Sequence, residues 1–96
     1  MSIVVAGYDW CSYYKATCLL LKSSNIPFST ILCSSRLDMK KKIRAICRGN
    51  TVLGVHGFSS PQIFRVEACS IVCVGGHDDL VRIGVSNLLA WLPLNF

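Results

Sequence analysis

Charge is scarce in this chain. Only 16% of its 96 residues are Asp, Glu, Lys or Arg, and just five of those are acidic, leaving a formal net charge of +5. Hydrophobic residues make up 52%, so the chain lacks the low hydropathy and high net charge of a disordered segment. It also lacks a long apolar run: no stretch approaches the ~20 residues that a membrane span requires. Ahead of Ile3-Val4-Val5 there is no basic region, and after it no long apolar stretch with a small-residue cleavage site. The expectation is therefore a protein without a secretory leader, in a reducing cytoplasmic setting. Repeats and low-complexity segments are absent too. At this length the expectation is one domain, residues 1–96, able to bury roughly 60–70% of its unfolded surface.

What the chain does have is six cysteines, Cys11, Cys18, Cys33, Cys47, Cys69 and Cys73. Their even number invites a disulfide scaffold, but their share is below the roughly 8–10% typical of one. Most read as small buried hydrophobes. A structural zinc site needs two close ligand pairs. Only Cys69 and Cys73 have that spacing, with His56 or His77 as a third ligand, so no metal site is expected.

Ser2 to Gly7 is a short β-branched run and reads as a buried strand. From Cys11 to Ser24 the apolar positions Cys11, Tyr14, Cys18 and Leu21 recur at three- and four-residue spacing, which predicts an amphipathic helix ended by Asn25-Ile26-Pro27. Phe28 to Cys33 reads as a second strand. Ser34-Ser35 offers an N-cap for a helix over Arg36 to Arg48, with Leu37, Ile43, Ile46 and Cys47 inward and Gly49-Asn50 as its stop. Thr51 to Ser60 reads as a loop. Pro61 to Val66 and Ser70 to Val74 read as a hairpin, and Asp78 or Asp79 can cap a last helix reaching about Trp91. A βαβ unit followed by a hairpin and a helix predicts an α/β/α three-layer fold, with a four-stranded mixed sheet and about three helices.

The densest chemistry is Tyr8-Asp9-Trp10-Cys11-Ser12-Tyr13-Tyr14-Lys15. A cysteine that opens a helix faces free N–H groups and the positive end of the helix dipole, which favour thiolate over thiol. Lys15 would act in the same direction and Asp9 against it. Cys11 is thus the candidate nucleophile.

Three separated motifs resemble those of the glutaredoxins, a branch of the thioredoxin-like superfamily. Cys11-Ser12-Tyr13-Tyr14 stands where the family carries its Cys-Pro-Tyr-Cys type active site, between the first strand and first helix. Ser59-Ser60-Pro61-Gln62-Ile63-Phe64 is similar to Thr-Val-Pro-Gln-Ile-Phe, whose proline is cis and lies against the active cysteine. Gly75-Gly76-His77-Asp78-Asp79-Leu80 is similar to Gly-Gly-Cys-Asp-Asp-Leu, which opens the last helix. The order and near-family spacing hold over essentially the whole chain. The resemblance implies a thioredoxin-like fold and a glutathione-disulfide oxidoreductase with glutathione as co-substrate and glutathionylated proteins as partners. It implies Cys11 as nucleophile, Tyr13 as a wall beside glutathione, and Ser60 before Pro61 as backbone partner of its cysteinyl residue. Gly75 and Gly76 would admit that backbone, and Asp78 and Asp79 with the helix N-terminus would receive the γ-glutamyl end.

The departures are equally specific. Tyr14 occupies the position of the family's second, resolving cysteine. Cys18 lies seven helical residues on, roughly 10 Å along the axis, whereas a disulfide needs Cα atoms about 4.4–6.8 Å apart. A monothiol cycle is implied, in which an external thiol regenerates Cys11. Tyr8 and Phe58 stand where the family often has cations for the glycyl carboxylate of glutathione, which leaves Arg44, Arg48 or His56 to replace them.

Two further readings come with the resemblance. Some monothiol members hold a [2Fe–2S] cluster between two protomers through the active cysteine and glutathione, but their usual motif is Cys-Gly-Phe-Ser, so a monomer without a cluster is expected. The altered motif also allows a non-catalytic interaction module. Arg36 to Arg48 holds six of the ten basic residues and could attract nucleic acid, but the aromatics that would stack bases lie on another element. A solvated basic helix face is the expected role, and no membrane partner is implied.

Overall fold

The computed structural model describes residues 2–54 and 57–93. The chain alternates strand and helix at first: β1 (Ser2–Gly7), α1 (Ser12–Ser23), β2 (Phe28–Leu32) and α2 (Arg36–Cys47). Then follow β3 (Thr51–Leu53), β4 (Gln62–Val66), β5 (Ser70–Gly75), α3 (His77–Ile83) and a single 3-10 turn at Val85–Asn87. Among the described residues the strands form one five-stranded mixed sheet in the order β2-β1-β4-β5-β3. β1 runs parallel to β2 and antiparallel to β4, while β5 runs antiparallel to β4 and parallel to β3.

Side-chain alternation along the strands splits the core into two layers. On one face Ile3, Val5, Ile63 and Val74 pack with Tyr14 and Leu21 of α1, Leu80 of α3 and Leu88. On the other, Ala6, Phe64, Ile71 and Cys73 pack with Met39 and Ile43 of α2. Helices therefore cover both faces, as the pattern predicts. No helix among the described residues is long and apolar enough to cross a membrane.

The sheet has one strand more than expected. Thr51–Leu53 pairs with Ser70–Val72, yet three residues on a largely exposed edge are too few to display an alternating pattern. The last helix is also shorter than predicted. It stops at Gly84, whose φ of +90° is open to glycine and strained for other residues, and whose N–H bonds to Leu80 O at 2.9 Å. Its N-cap is Gly76 rather than either aspartate.

In α2, Ser35 caps as expected, its Oγ accepting Asp38 N–H at 3.1 Å. Leu37, however, points outward at 63% exposure, while Met39 is fully buried. At 100° per residue Leu37 stands roughly 120° from Ile43 around the helix, whereas Met39 stands about 40° away.

Arg65 is an unexpected core member, 3% exposed in the middle of β4. Its guanidinium donates to Glu67 Oε1 at 2.8 Å, Leu88 O at 3.0 Å and Trp91 O at 2.7 Å. It thereby ties the segment after α3 to the sheet, and its charge is met by partners that justify its burial.

Candidate functional site

Cys11 is the N-cap of α1, in extended conformation at φ −81° and ψ 122°. It follows a tight turn closed by Cys11 N–H bonding to Tyr8 O at 3.1 Å. Directly opposite lies the loop before β4, where the Ser60–Pro61 peptide is cis. Buried Gln62 shapes this loop from below, donating to Ser59 O at 2.9 Å and accepting Gly57 N–H at 3.3 Å. Ser60 is bound to the β1 end, because Tyr8 N–H donates to Ser60 Oγ at 3.1 Å. A side chain at Gly7 would collide with the Tyr14 ring and with Ser60 Oγ, 2.7 Å from an added Cβ. Glycine there lets the proline loop sit against the start of α1.

The half-buried Cys11 thiol donates to Ser60 O at 3.7 Å. In this protonated state its side chain makes no cap bond to the helix. Burial raises the pKa of Cys11, but the Ser60 hydroxyl and the N–H groups of Tyr14 and Tyr13 more than offset it, so the net value falls below the ordinary 9.0. Ser60 Oγ accepts from Tyr8 and keeps its own hydrogen to donate to a thiolate. The expected stabilisation at a helix start is present. The expected contributions of Lys15 and Asp9 are not, because neither charge figures among the causes.

Ser60, the partner of the Cys11 thiol, and Tyr13 line a cleft of about 360 Å³ that does not include Cys11 itself, within the ~300–1,000 Å³ range of ligand sites. Tyr13, Ser60, Pro61, Gly75, Gly76, Asp78 and Asp79 all line it, so the structure brings together these seven residues from three separate motifs. Gly75 has φ +114°, and a Cβ there would collide with the Asp79 carboxylate. Asp79 is already engaged: its Oδ2 accepts Gly76 N–H at 2.8 Å and its Oδ1 lies 3.4 Å from Arg82 Nη2. Asp78, exposed at the rim, is the carboxylate left for a ligand.

Tyr14 and Lys15 of the active-site segment, and Cys18 beyond it, stand elsewhere. Tyr14 is 7% exposed and belongs to the core. Lys15 and Cys18 line a different depression with Leu19, Lys22 and Phe28. Cys18 therefore does not line the Tyr13–Asp78 cleft, and burial raises its pKa. Tyr8 stays near Cys11 but uses its ring to stack on Trp10, with centroids 4.9 Å apart and planes 7° from parallel.

Sequence reasoning missed several neighbours. His77 lines the cleft, and its Nδ1 is 2.9 Å from the hydroxyl of fully buried Thr17, which links α3 to α1. A second groove of about 320 Å³, lined by Cys11 itself, contains Trp10 and Arg36 along with Tyr8, Phe58 and Ser60. Neither Arg44 nor Arg48 lines either groove, and His56 lies outside the described residues.

All six cysteines are free thiols. Cys69 is exposed at the β4–β5 turn and Cys73 is buried in β5. No group of three or more His, Cys, Asp or Glu among the described residues is placed to hold a metal ion. Comparison with protein-family models finds none that matches the chain, and comparison with curated proteins finds no match either.

Proposed function

We propose that this protein is a glutathione-dependent thiol–disulfide oxidoreductase of thioredoxin-like fold that works through Cys11 alone, in a reducing compartment and as a monomer. One observation carries the reading: a thiol of lowered pKa at a helix start is held against Ser60, and Ser60 lines a ligand-sized cleft that collects residues from all three motif segments. Backbone atoms of Ser60 would pair with the cysteinyl residue of glutathione. The Tyr13 ring would flank it, and Asp78 would meet its ammonium group.

In the first step the Cys11 thiolate attacks the glutathione sulfur of a mixed disulfide. The Cys11–glutathione S–S bond forms, the glutathione–substrate S–S bond breaks, and the substrate sulfur leaves with the electron pair and takes a proton. A second glutathione thiolate then attacks the bound glutathione sulfur. Glutathione disulfide departs and the Cys11 thiolate is restored. Tyr14 supports the need for this second molecule, since it fills the position from which a resolving thiol would act and is itself packed in the core.

The test is glutathione-dependent reduction of the mixed disulfide between glutathione and 2-mercaptoethanol. Wild type should turn it over, Cys11→Ser should not, and Cys18→Ser should retain most of the rate. An inactive wild type would refute the assignment.

A further inference from the structure

A mixed disulfide has two halves, and glutathione accounts for only one. Under the reading above, glutathione takes the Tyr13–Asp78 cleft. The other half must also lie against Cys11, and the second groove is where the surface continues. It contains Cys11 itself and shares Ser59 and Ser60 with the first cleft.

Its walls have a definite chemistry. Trp10, immediately before the nucleophile, is 70% exposed, although its ring is held by near-parallel stacking on Tyr8. A large rigid aromatic left bare beside a reactive thiol is the type of group that anchors a partner chain at low entropic cost. Arg36 lines the same groove, is exposed and forms no ion pair with any described residue. Lys40 adds a second positive charge, its Nζ 5.3 Å from the centre of the Phe58 ring in the groove wall.

The two acids of the adjoining depression, which shares Trp10 with this groove, form no ion pair with Arg36. Asp9 lies on a neighbouring depression, and Asp38 is committed to Lys42 at 3.0 Å and Ser34 N–H at 2.8 Å. A carboxylate entering the groove would meet an uncompensated guanidinium, which can bind it through two parallel hydrogen bonds. A lysine or arginine would be repelled.

We propose that the groove between the Tyr8–Trp10 stack and Arg36 recognises the polypeptide half of the mixed disulfide, selecting substrates whose glutathionylated cysteine is flanked by an acidic and an aromatic residue. This rests on the oxidoreductase reading and adds a substrate class to it. The overall reaction is unchanged: one glutathione and one glutathionylated peptide give one glutathione disulfide and one peptide thiol. The groove contributes binding to the peptide that leaves.

The full-length protein is tested with two glutathionylated peptides of equal length, one with Glu and Phe beside the cysteine and one with Lys and Ala, and with the glutathione–2-mercaptoethanol disulfide as a substrate lacking a polypeptide. Wild type is expected to favour the acidic–aromatic peptide by about tenfold in kcat/KM, the scale of one charge-assisted contact. Trp10→Ala and Arg36→Ala should remove that preference through KM while leaving turnover of the small disulfide unchanged, and Arg36→Glu should favour the basic peptide instead. Equal kcat/KM for the two peptides with the small disulfide turned over normally would overturn the inference alone. So would a raised KM for the small disulfide in Arg36→Ala, which would place Arg36 on glutathione itself. If wild type turns over none of the three, the oxidoreductase reading falls and takes this inference with it.

Discussion

Cys11 and Cys73 are the same functional group in opposite settings. Cys73 lies in the middle of β5 beneath α2, where burial pushes its pKa up to about 11 and neighbouring Cys47 adds to the rise. Cys11 also pays for burial, yet its pKa falls. The difference is that β5 has already used its backbone N–H groups in the sheet, whereas the first N–H groups of α1 have no partner within the helix. A hydroxyl on the facing loop completes the set. The lowered pKa of Cys11 follows from unspent donors around the sulfur rather than from nearby charge.

Exchanging sulfur for oxygen at each of the two places has the largest expected effects. Cys11→Ser should lower mixed-disulfide turnover by on the order of a thousandfold or more, since the nucleophile itself is lost. Cys73→Ser should leave kcat/KM near the wild-type value and instead lower stability by about 1–3 kcal/mol, through placing a hydroxyl in an apolar layer. Turnover assays and urea unfolding separate the two effects.

The pH dependence of alkylation sharpens the comparison next. Thiolate, the reactive form, accumulates as pH rises through the pKa. The iodoacetamide rate at Cys11 should therefore level off below pH 9.0, the ordinary thiol value. Cys73 should remain inert until about pH 11. Peptide-resolved alkylation reads both sites in one sample, and coincident midpoints would erase the distinction.

The smallest expected change is at Ser60. Ser60→Ala removes one neutral donor to the thiolate, worth about 1 kcal/mol, so the Cys11 alkylation midpoint should rise by roughly 0.7 pH units. An unmoved midpoint would assign the lowering to the Tyr13 and Tyr14 N–H groups alone.

Most of the architecture was legible because strands and helices of five residues or more carry their periodicity openly. β1, α1, β2, α2 and the β4–β5 pair lie where the pattern puts them. β3 was not legible, being three residues long at an edge. The end of α3 was hidden because apolar residues continue past Gly84 and only its positive φ marks the break. The four-stranded expectation failed for the first reason and the helix to Trp91 for the second.

The site divides similarly. Cys11 could be picked out by its place at a helix start, whereas the seven cleft residues were found only because their motifs resemble those of the glutaredoxins. The Trp10–Arg36 groove depends on β1 and α2 meeting beside the proline loop, a juxtaposition that no local pattern encodes. Lys15 and Tyr14 misled for a simpler reason: adjacency in sequence suggested adjacency to the thiol, while helical rotation turns one toward a separate depression and the other into the core.

On the reading proposed, one thiol among six takes glutathione. Mass spectrometry after incubation with glutathione disulfide, followed by peptide mapping, tests it most directly. The account predicts a single glutathione adduct located on Cys11, released by added glutathione. An adduct confined to exposed Cys69, or spread over several cysteines with Cys11 unmodified, would contradict it.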